Sequence, residues 1–213
     1  MILKTFIEPP IDNNNYLLID ETSREAALID CSAVDDDVKL TLKAYDAKLK
    51  YILLTYGHFD HIAGINAWQL TPPPELVHQD GLKVLMHKAD VDWVKKVNMY
   101  LPSFGIPDIS IPVIDKFISE GDVVKLGNLE ILVIETPGHT QGGVCFYTEG
   151  KLFSGDTIFR GSVGRCDLEG GDYEQIVESI QNKIFTLPEE TEIYPGHGRN
   201  SDVGWEKTYN RFL

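Results

Sequence analysis

Cysteine is scarce in this chain: three in 213 residues, Cys31, Cys145 and Cys166, with no C-x-x-C pair. That excludes a disulfide framework and a thiolate zinc site, and leaves the three as packing residues in a reducing compartment. Long apolar runs are missing as well. No stretch approaches the roughly 20 apolar residues that span a bilayer, and the start MILKTFIEPP lacks the basic-then-apolar order of a secretion signal. The expectation is a soluble, cytoplasmic protein. Positive charge is also in short supply: 19 Lys and Arg stand against 33 Asp and Glu, a formal net charge of -14. Such a chain repels phosphate backbones and lacks the basic stripe that nucleic-acid binding requires. The expected partner is a small-molecule substrate, with no nucleic acid and no membrane; the sequence indicates no oligomeric state.

What the chain does contain is enough apolar material, 43% of residues, for one sizeable core without staples, so residues 1–213 read as one domain. Hydrophobic periodicity predicts strands near 2–7, 15–19 and 26–30, then a helix near 36–46 whose start is the acidic run Asp35-Asp36-Asp37. The apolar run Tyr51–Leu54 predicts a strand, followed by a helix near 60–70 that ends before Pro72-Pro73-Pro74. A strand at 83–87 and a helix near 89–98 follow. Residues 99–118, punctuated by Pro102, Gly105, Pro107 and Pro112, read as a long apolar loop lying over either a pocket or the core. Strands at 123–126, 129–135, 143–148 and 151–154, a helix near 172–185 and a strand at 192–194 complete the pattern. Strands and helices recur in each half, which suggests two packed sheets covered by helices.

Four polar motifs sit just after strand ends, where packing alone does not explain them: TYGHFDH at 55–61, PGHT at 137–140, GD at 155–156 and PGHG at 195–198. On leaving an extended strand, residues 56 and 58 project to one side, and a turn into a helix re-aims Asp60 and His61. Gly138 and Gly196 each stand between a proline and a histidine, a pattern for a tight turn that permits close backbone approach to an ion. Asp156 stands where a carboxylate can bridge two cations. Imidazoles and carboxylates are ligands for zinc or similar first-row metals.

These four motifs, in this order, resemble the metallo-beta-lactamase superfamily, and within it the glyoxalase II-like hydrolases, over nearly the whole chain. The stretch GDTIFRGSVGRCD from Gly155 to Asp167 and the ending with Gly204, Glu206, Lys207 and Asn210-Arg211-Phe212 are similar to the short glyoxalase II-like branch. The resemblance implies an α/β fold, an αββα sandwich of two mixed sheets flanked by helices. It also implies a metal centre in which His58 and His139 serve a first ion, Asp60, His61 and His197 a second, and Asp156 bridges them. Zinc is the implied cofactor, one or two ions, with iron or manganese as alternatives. The implied activity is that of a metal-dependent hydrolase acting on a small acyl thioester or related ester through a metal-bound hydroxide, with Asp60 as the catalytic residue that orients it. A persulfide dioxygenase-like iron enzyme and a degenerate member with little catalysis are the other readings. The C-terminal helical glutathione-binding domain of full-length glyoxalase II is expected to be absent.

Tyr56 stands where the family's first histidine would be. A neutral phenol is a poor ligand, so the first site is the one put in question: either one ion is held by Asp60, His61, His197 and Asp156, or both bind with water or the Tyr56 oxygen completing the first site. Other notable residues have plainer readings. His78 and His87 are expected to be ordinary surface or packing histidines, Trp68 and Trp93 core residues, Tyr147 a strand residue, and Arg165 a brace behind the bridging aspartate.

Overall fold

The computed structural model describes residues 1–33 and 36–213; of the acidic run, Asp35 lies outside the described residues. Strands β1 (Ile2–Glu8), β2 (Asn13–Ile19), β3 (Glu25–Ile29), β4 (Lys48–Leu53), β5 (Lys83–His87) and β6 (Lys116–Ile118) lie side by side in chain order as one sheet. Its first three strands pair antiparallel and the rest parallel, because the links from β3 onward are long enough to carry helices. The second half supplies β7 (Val123–Leu126), β8 (Leu129–Glu135), β9 (Val144–Thr148), β10 (Lys151–Gly155), the small hairpin β11 (Ile158–Phe159) with β12 (Ser162–Val163), β13 (Glu192–Pro195) and β14 (Ser201–Asp202). All but the hairpin form the second mixed sheet, in the order β14-β13-β10-β9-β8-β7.

Alternation along β2 shows how the layers arise. Tyr16 and Leu18 point between the sheets, where they join Ala27, Ile29 and Leu53 against Val133, Phe146 and Phe153 of the second sheet. Leu17 and Ile19 point outward, into a core closed by Val38 and Leu42 of α1 (Asp36–Ala44), Ile62 of α2 (Phe59–Ile62), Ile65 of α3 (Ile65–Leu70) and Val94 of α4 (Val91–Lys95). Every residue of β2 is buried because both of its faces are covered. On the far side, Ile134, Cys145, Leu152 and Ile193 meet Ile176 and Ile180 of α5 (Tyr173–Asn182) and Val203 of α6 (Val203–Tyr209). The result is the αββα sandwich.

The element boundaries differ from the sequence pattern in instructive places. The predicted helix at 60–70 is two helices, because the Cys31 N–H donates to the His61 carbonyl and the Gly64 N–H to the Cys31 carbonyl, both at 2.8 Å, so the passing loop takes over the helix's own ladder. The predicted helix at 89–98 is α4 between two 3-10 turns, Lys88–Asp90 and Val97–Met99. Strands β6, β11, β12 and β14 have no counterpart in the sequence reading, since two or three residues carry no periodicity, and the seven-residue helix α6 was not anticipated either. Residues 99–118 serve both ends considered for them. Leu101, Ile106, Ile109 and Ile114 close the outer core, while Tyr100 and Phe104 stack against Phe59 beside the polar motifs.

Candidate metal centre

All four motifs reach one edge of the sandwich, each held there by backbone bonds to another element. The first runs from the end of β4 into α2. His58 is the residue just before α2, with extended backbone (φ -71°, ψ 154°), and Asp60 and His61 lie in its first turn. Asp30, just past β3, receives the Thr55 N–H at 2.8 Å and the Thr55 hydroxyl at 2.7 Å, which fixes the chain as it leaves β4. The PGHT turn is fastened to α5: the Asp172 N–H donates to the Gly138 carbonyl at 2.7 Å, and Ser179 Oγ to the Pro137 carbonyl at 2.8 Å. The PGHG turn is gripped by the start of β2. Asn14 Nδ2 donates to the carbonyls of Pro195 at 3.0 Å and Gly198 at 2.8 Å, and the Tyr16 hydroxyl to Pro195 at 2.7 Å.

The histidine tautomers follow from their outer partners. A carbonyl or carboxylate oxygen accepts a proton from imidazole, so Nδ1–H of His61 donates to Asp30 Oδ2 at 2.7 Å, that of His139 to the Arg165 carbonyl at 2.7 Å, and that of His197 to the Asp12 carbonyl at 3.4 Å. All three therefore turn Nε2 inward. Asp156 lies at the centre: Oδ1 is 3.6 Å from His61 Nε2, and Oδ2 is 3.8 Å from His139 Nε2 and 3.7 Å from His197 Nε2. Asp60 Oδ2 is 3.2 Å from His197 Nε2 and 3.5 Å from His61 Nε2. His58 faces the same space, its Nδ1 3.2 Å from His139 Nε2. The six residues put forward from the sequence are thus brought together.

Three buried atoms of these six residues, His58 Nε2, His61 Nε2 and Asp156 Oδ1, have no hydrogen-bond partner. Buried polar atoms left unpaired are costly, and a cation between His61 Nε2 and Asp156 Oδ1, 3.6 Å apart, would satisfy that pair in place of the ring's proton. Asp60, His61 and His197 each offer a ligand atom within 4.8 Å of the others, so this donor set fits a divalent ion of the zinc type.

The charges reflect burial and the close neighbours of each group. Burial, and then neighbouring His139, press the His58 imidazole down to about 3, so it is neutral. Burial would also lower His61, but Asp30 and Asp60 outweigh it and raise the ring to about 9, so a cation at its Nε2 would displace a proton. Burial opposes charge on Asp60, yet His61 and His197 hold it well below the ordinary carboxylate range. Tyr56 is 2% exposed, its ring centroid 4.9 Å from that of His58, 4.2 Å from His61 and 4.8 Å from His139. Burial, then Asp156 and Asp60, push its phenol well above the usual value. It remains a protonated hydroxyl among imidazoles.

Two supporting residues escaped the sequence reading. Asp30 orients His61, and its only signal is position: an acid directly after an apolar strand, as Asp60 and Asp156 also follow strands. Asp90 accepts from the N–H groups of Gly57 at 3.0 Å and Gly142 at 2.7 Å and from Thr140 Oγ1 at 2.8 Å, joining the first motif to the PGHT turn. It falls in a helical pattern that reads as surface. Three expectations need correcting. Trp93 is half-buried rather than core, its ring 4.4 Å from His58, because α4 faces the motif loop. Arg165 braces through its backbone carbonyl on His139, while its guanidinium pairs with Asp167 at 2.7 and 2.8 Å. Gly138 approaches the backbone of Ile176 rather than an ion; only Gly196 borders the centre, where a Cβ would meet Asp156 Oδ1 at 2.4 Å and His61 Cε1 at 2.8 Å. His78 and His87 stand apart from the cluster, against Glu25 and Glu135, and Trp68 is core.

The sequence profile of the metallo-beta-lactamase superfamily matches residues 9–197. The chain belongs to this superfamily. Hydroxyacylglutathione hydrolase GloC of Haemophilus influenzae is 31% identical over 203 residues, 93% of this chain and 92% of that protein. The crystal structure of the BLEG-1 B3 metallo-beta-lactamase superposes with a TM-score of 0.86 at 32% identity, over 100% of this chain and 99% of that one. TTHA1623, solved in a di-iron-bound form, has a TM-score of 0.79 at 31% identity over 99% of this chain and 100% of its own. The superfamily's metal-binding character agrees with the donor set at the sandwich edge. Among the described residues, no helix is long and apolar enough to cross a membrane.

Proposed function

We propose that this chain is a metal-dependent hydrolase of small acyl thioesters, of glyoxalase II type, working with zinc at the cluster of Asp60, His61, His197 and Asp156. The observation that carries the reading is the set of three Nε2 atoms turned toward Asp156, with His61 Nε2 and Asp156 Oδ1 buried and without a hydrogen-bond partner. Similarity to GloC supports the substrate class, and the di-iron form of TTHA1623 keeps iron as the alternative metal. The two buried thiols are held protonated by burial, Cys145 up to about 11, so neither is a candidate nucleophile beside the proposed chemistry.

A bound divalent cation would supply a Lewis acid for the thioester carbonyl and a water acidic enough to attack at neutral pH. The chain's residues do the rest. Asp60, kept ionised, accepts a hydrogen bond from the attacking water and holds it against the acyl carbon. The outer partners Asp30 and the carbonyls of Arg165 and Asp12 keep each imidazole from rotating or changing tautomer. Tyr56 offers a protonated oxygen where an imidazole lone pair would complete the first site, so one tightly held ion is the expected load.

Elemental analysis of protein purified without added metal tests this directly. About one equivalent of zinc per chain, with thioester hydrolysis removed by chelation and restored by zinc, is the expected result. A stable metal-free chain without turnover, or one iron with oxygen uptake on a persulfide, would sink the reading.

A further inference from the structure

Beside the centre is a cleft of about 220 Å³ that opens onto His58 and is walled by Phe59, Trp93, Tyr100, Phe104 and Leu168. The walls are preorganised. Phe59 stacks on Tyr100 at 5.8 Å and on Phe104 at 4.9 Å, and Trp93 tilts against Tyr100 at 6.1 Å and meets the His58 ring edge-on at 4.4 Å. No unpaired charge faces the space among its lining residues. Arg165, the one cation on the rim, is held by both oxygens of Asp167, and Lys96, over the Trp93 ring, is bonded to Glu169 at 2.6 Å. Phe104 nonetheless remains 44% exposed, an aromatic face left open to solvent next to polar chemistry. Pockets with aromatic walls and a few polar groups at one end are the usual form of small-ligand sites.

Size and charge together select the occupant. A cavity of about 150 Å³ takes up benzene, so this one accommodates a phenyl ring with a short linker. A peptide-sized thiol does not fit, and an ionised group would lose its hydration without gaining a partner. We infer that the cleft is the acyl pocket of the enzyme and that its preferred substrates carry an uncharged arylacyl group, a phenylacetyl thioester being the simplest. This rests on the thioesterase reading above. The reaction is ordinary hydrolysis: the oxygen of water joins the acyl carbon as the carbon–sulfur bond breaks, one water proton leaves with the thiolate, and an arylacetic acid is released.

The test compares kcat/KM for phenylacetyl and acetyl thioesters of one small thiol, N-acetylcysteamine, and for the S-benzyl ester of thioacetic acid. The phenylacetyl compound should lead the acetyl one by about tenfold or more, since filling an apolar pocket is worth that in transition-state binding. Phe104→Ala and Trp93→Ala should each shrink the ratio several-fold. Equal rates, a preference for the S-benzyl compound, or a ratio unmoved by both substitutions would overturn the assignment while leaving the hydrolase reading in place. If no thioester is turned over, the hydrolase reading falls, and the cleft is judged by ligand-observed NMR with neutral phenylacetamide against acetamide. Binding of the aryl amide that Phe104→Ala weakens supports an aryl site; its absence rejects one.

Discussion

A phenol in place of an imidazole changes what one position can donate, and Tyr56 sits among three imidazole rings at 4.2–4.9 Å. Replacing it restores a lone pair beside His58 and His139. Tyr56→His is therefore expected to raise the bound metal from about one to about two equivalents per chain by elemental analysis; an unchanged content would mean that the phenol already tolerates a full first site. Asp30 acts through His61 rather than at the centre. Its carboxylate takes three donors, from Thr55 N–H, Thr55 Oγ1 and His61 Nδ1. In Asp30→Asn the amide oxygen must stay with the Thr55 N–H, which cannot accept, so the NH2 takes the Oδ2 place facing His61 Nδ1, and the ring's remaining proton is held on Nε2, where it opposes an ion. Metal affinity should fall about 10–100-fold in a competitive chelator titration. Unaltered affinity would show that His61 keeps its tautomer without Asp30. The six polar residues at the centre were legible from the motifs, whereas Asp30 and Asp90 were not, because a lone acid in a loop or a helical pattern reads as solvated surface.

At the scale of elements, the turn that carries His139 depends on how closely it meets α5. Gly138 has φ +137°, and a Cβ there would lie 2.3 Å from Ile176 N. Gly138→Ala thus combines backbone strain with a clash against a helix that cannot yield, and should cost about 2–4 kcal/mol by urea unfolding. Gly81, at φ +81° with nothing within 4 Å, is the matched control. Gly81→Ala should cost about 1 kcal/mol, the strain alone. Similar losses at both positions would remove the close approach as the cause. The helical periodicity of α5 was visible in the sequence, but the partner of the PGHT turn was not, because proline and glycine announce a bend without saying what lies inside it.

For the whole molecule, the two sheets are fastened at the edge far along the strands from the metal centre by carboxylates. Asp20 accepts from the N–H groups of Ser23 at 3.0 Å and Asn128 at 3.1 Å. Glu25 accepts from the Gly127 N–H and from Lys50 Nζ, both at 2.8 Å. The β2–β3 turn of one sheet is thereby tied to the β7–β8 turn of the other. Burial favours the protonated form of both acids, but the Ser23 and Asn128 bonds outweigh it at Asp20, and Lys50 and Gly127 at Glu25, so both are lowered. A lowered folded-state value contributes stability above the unfolded range near pH 4, lost as pH falls through the folded values. The unfolding free energy should therefore drop on acidification below about pH 4. Glu25→Gln should cost about 1–3 kcal/mol at pH 7 and flatten part of that drop; an acid profile identical to the parent's would exclude this tie as its source.

The sequence by itself determined the strand that carries Tyr16 and Leu18 against Leu17 and Ile19, the helices that cover the sheets apart from α6, and the imidazole and carboxylate chemistry at positions 58, 60, 61, 139, 156 and 197. Those are properties of local periodicity and of chemistry carried by the residue itself. Only the tertiary structure decided that Trp93 and Phe104 wall a cleft at His58, that Arg165 braces through its carbonyl, and that Asp30 fixes the His61 tautomer. Each of these joins residues from distant segments, and which side chain faces which across the fold is settled by packing, to which spacing along the chain is blind.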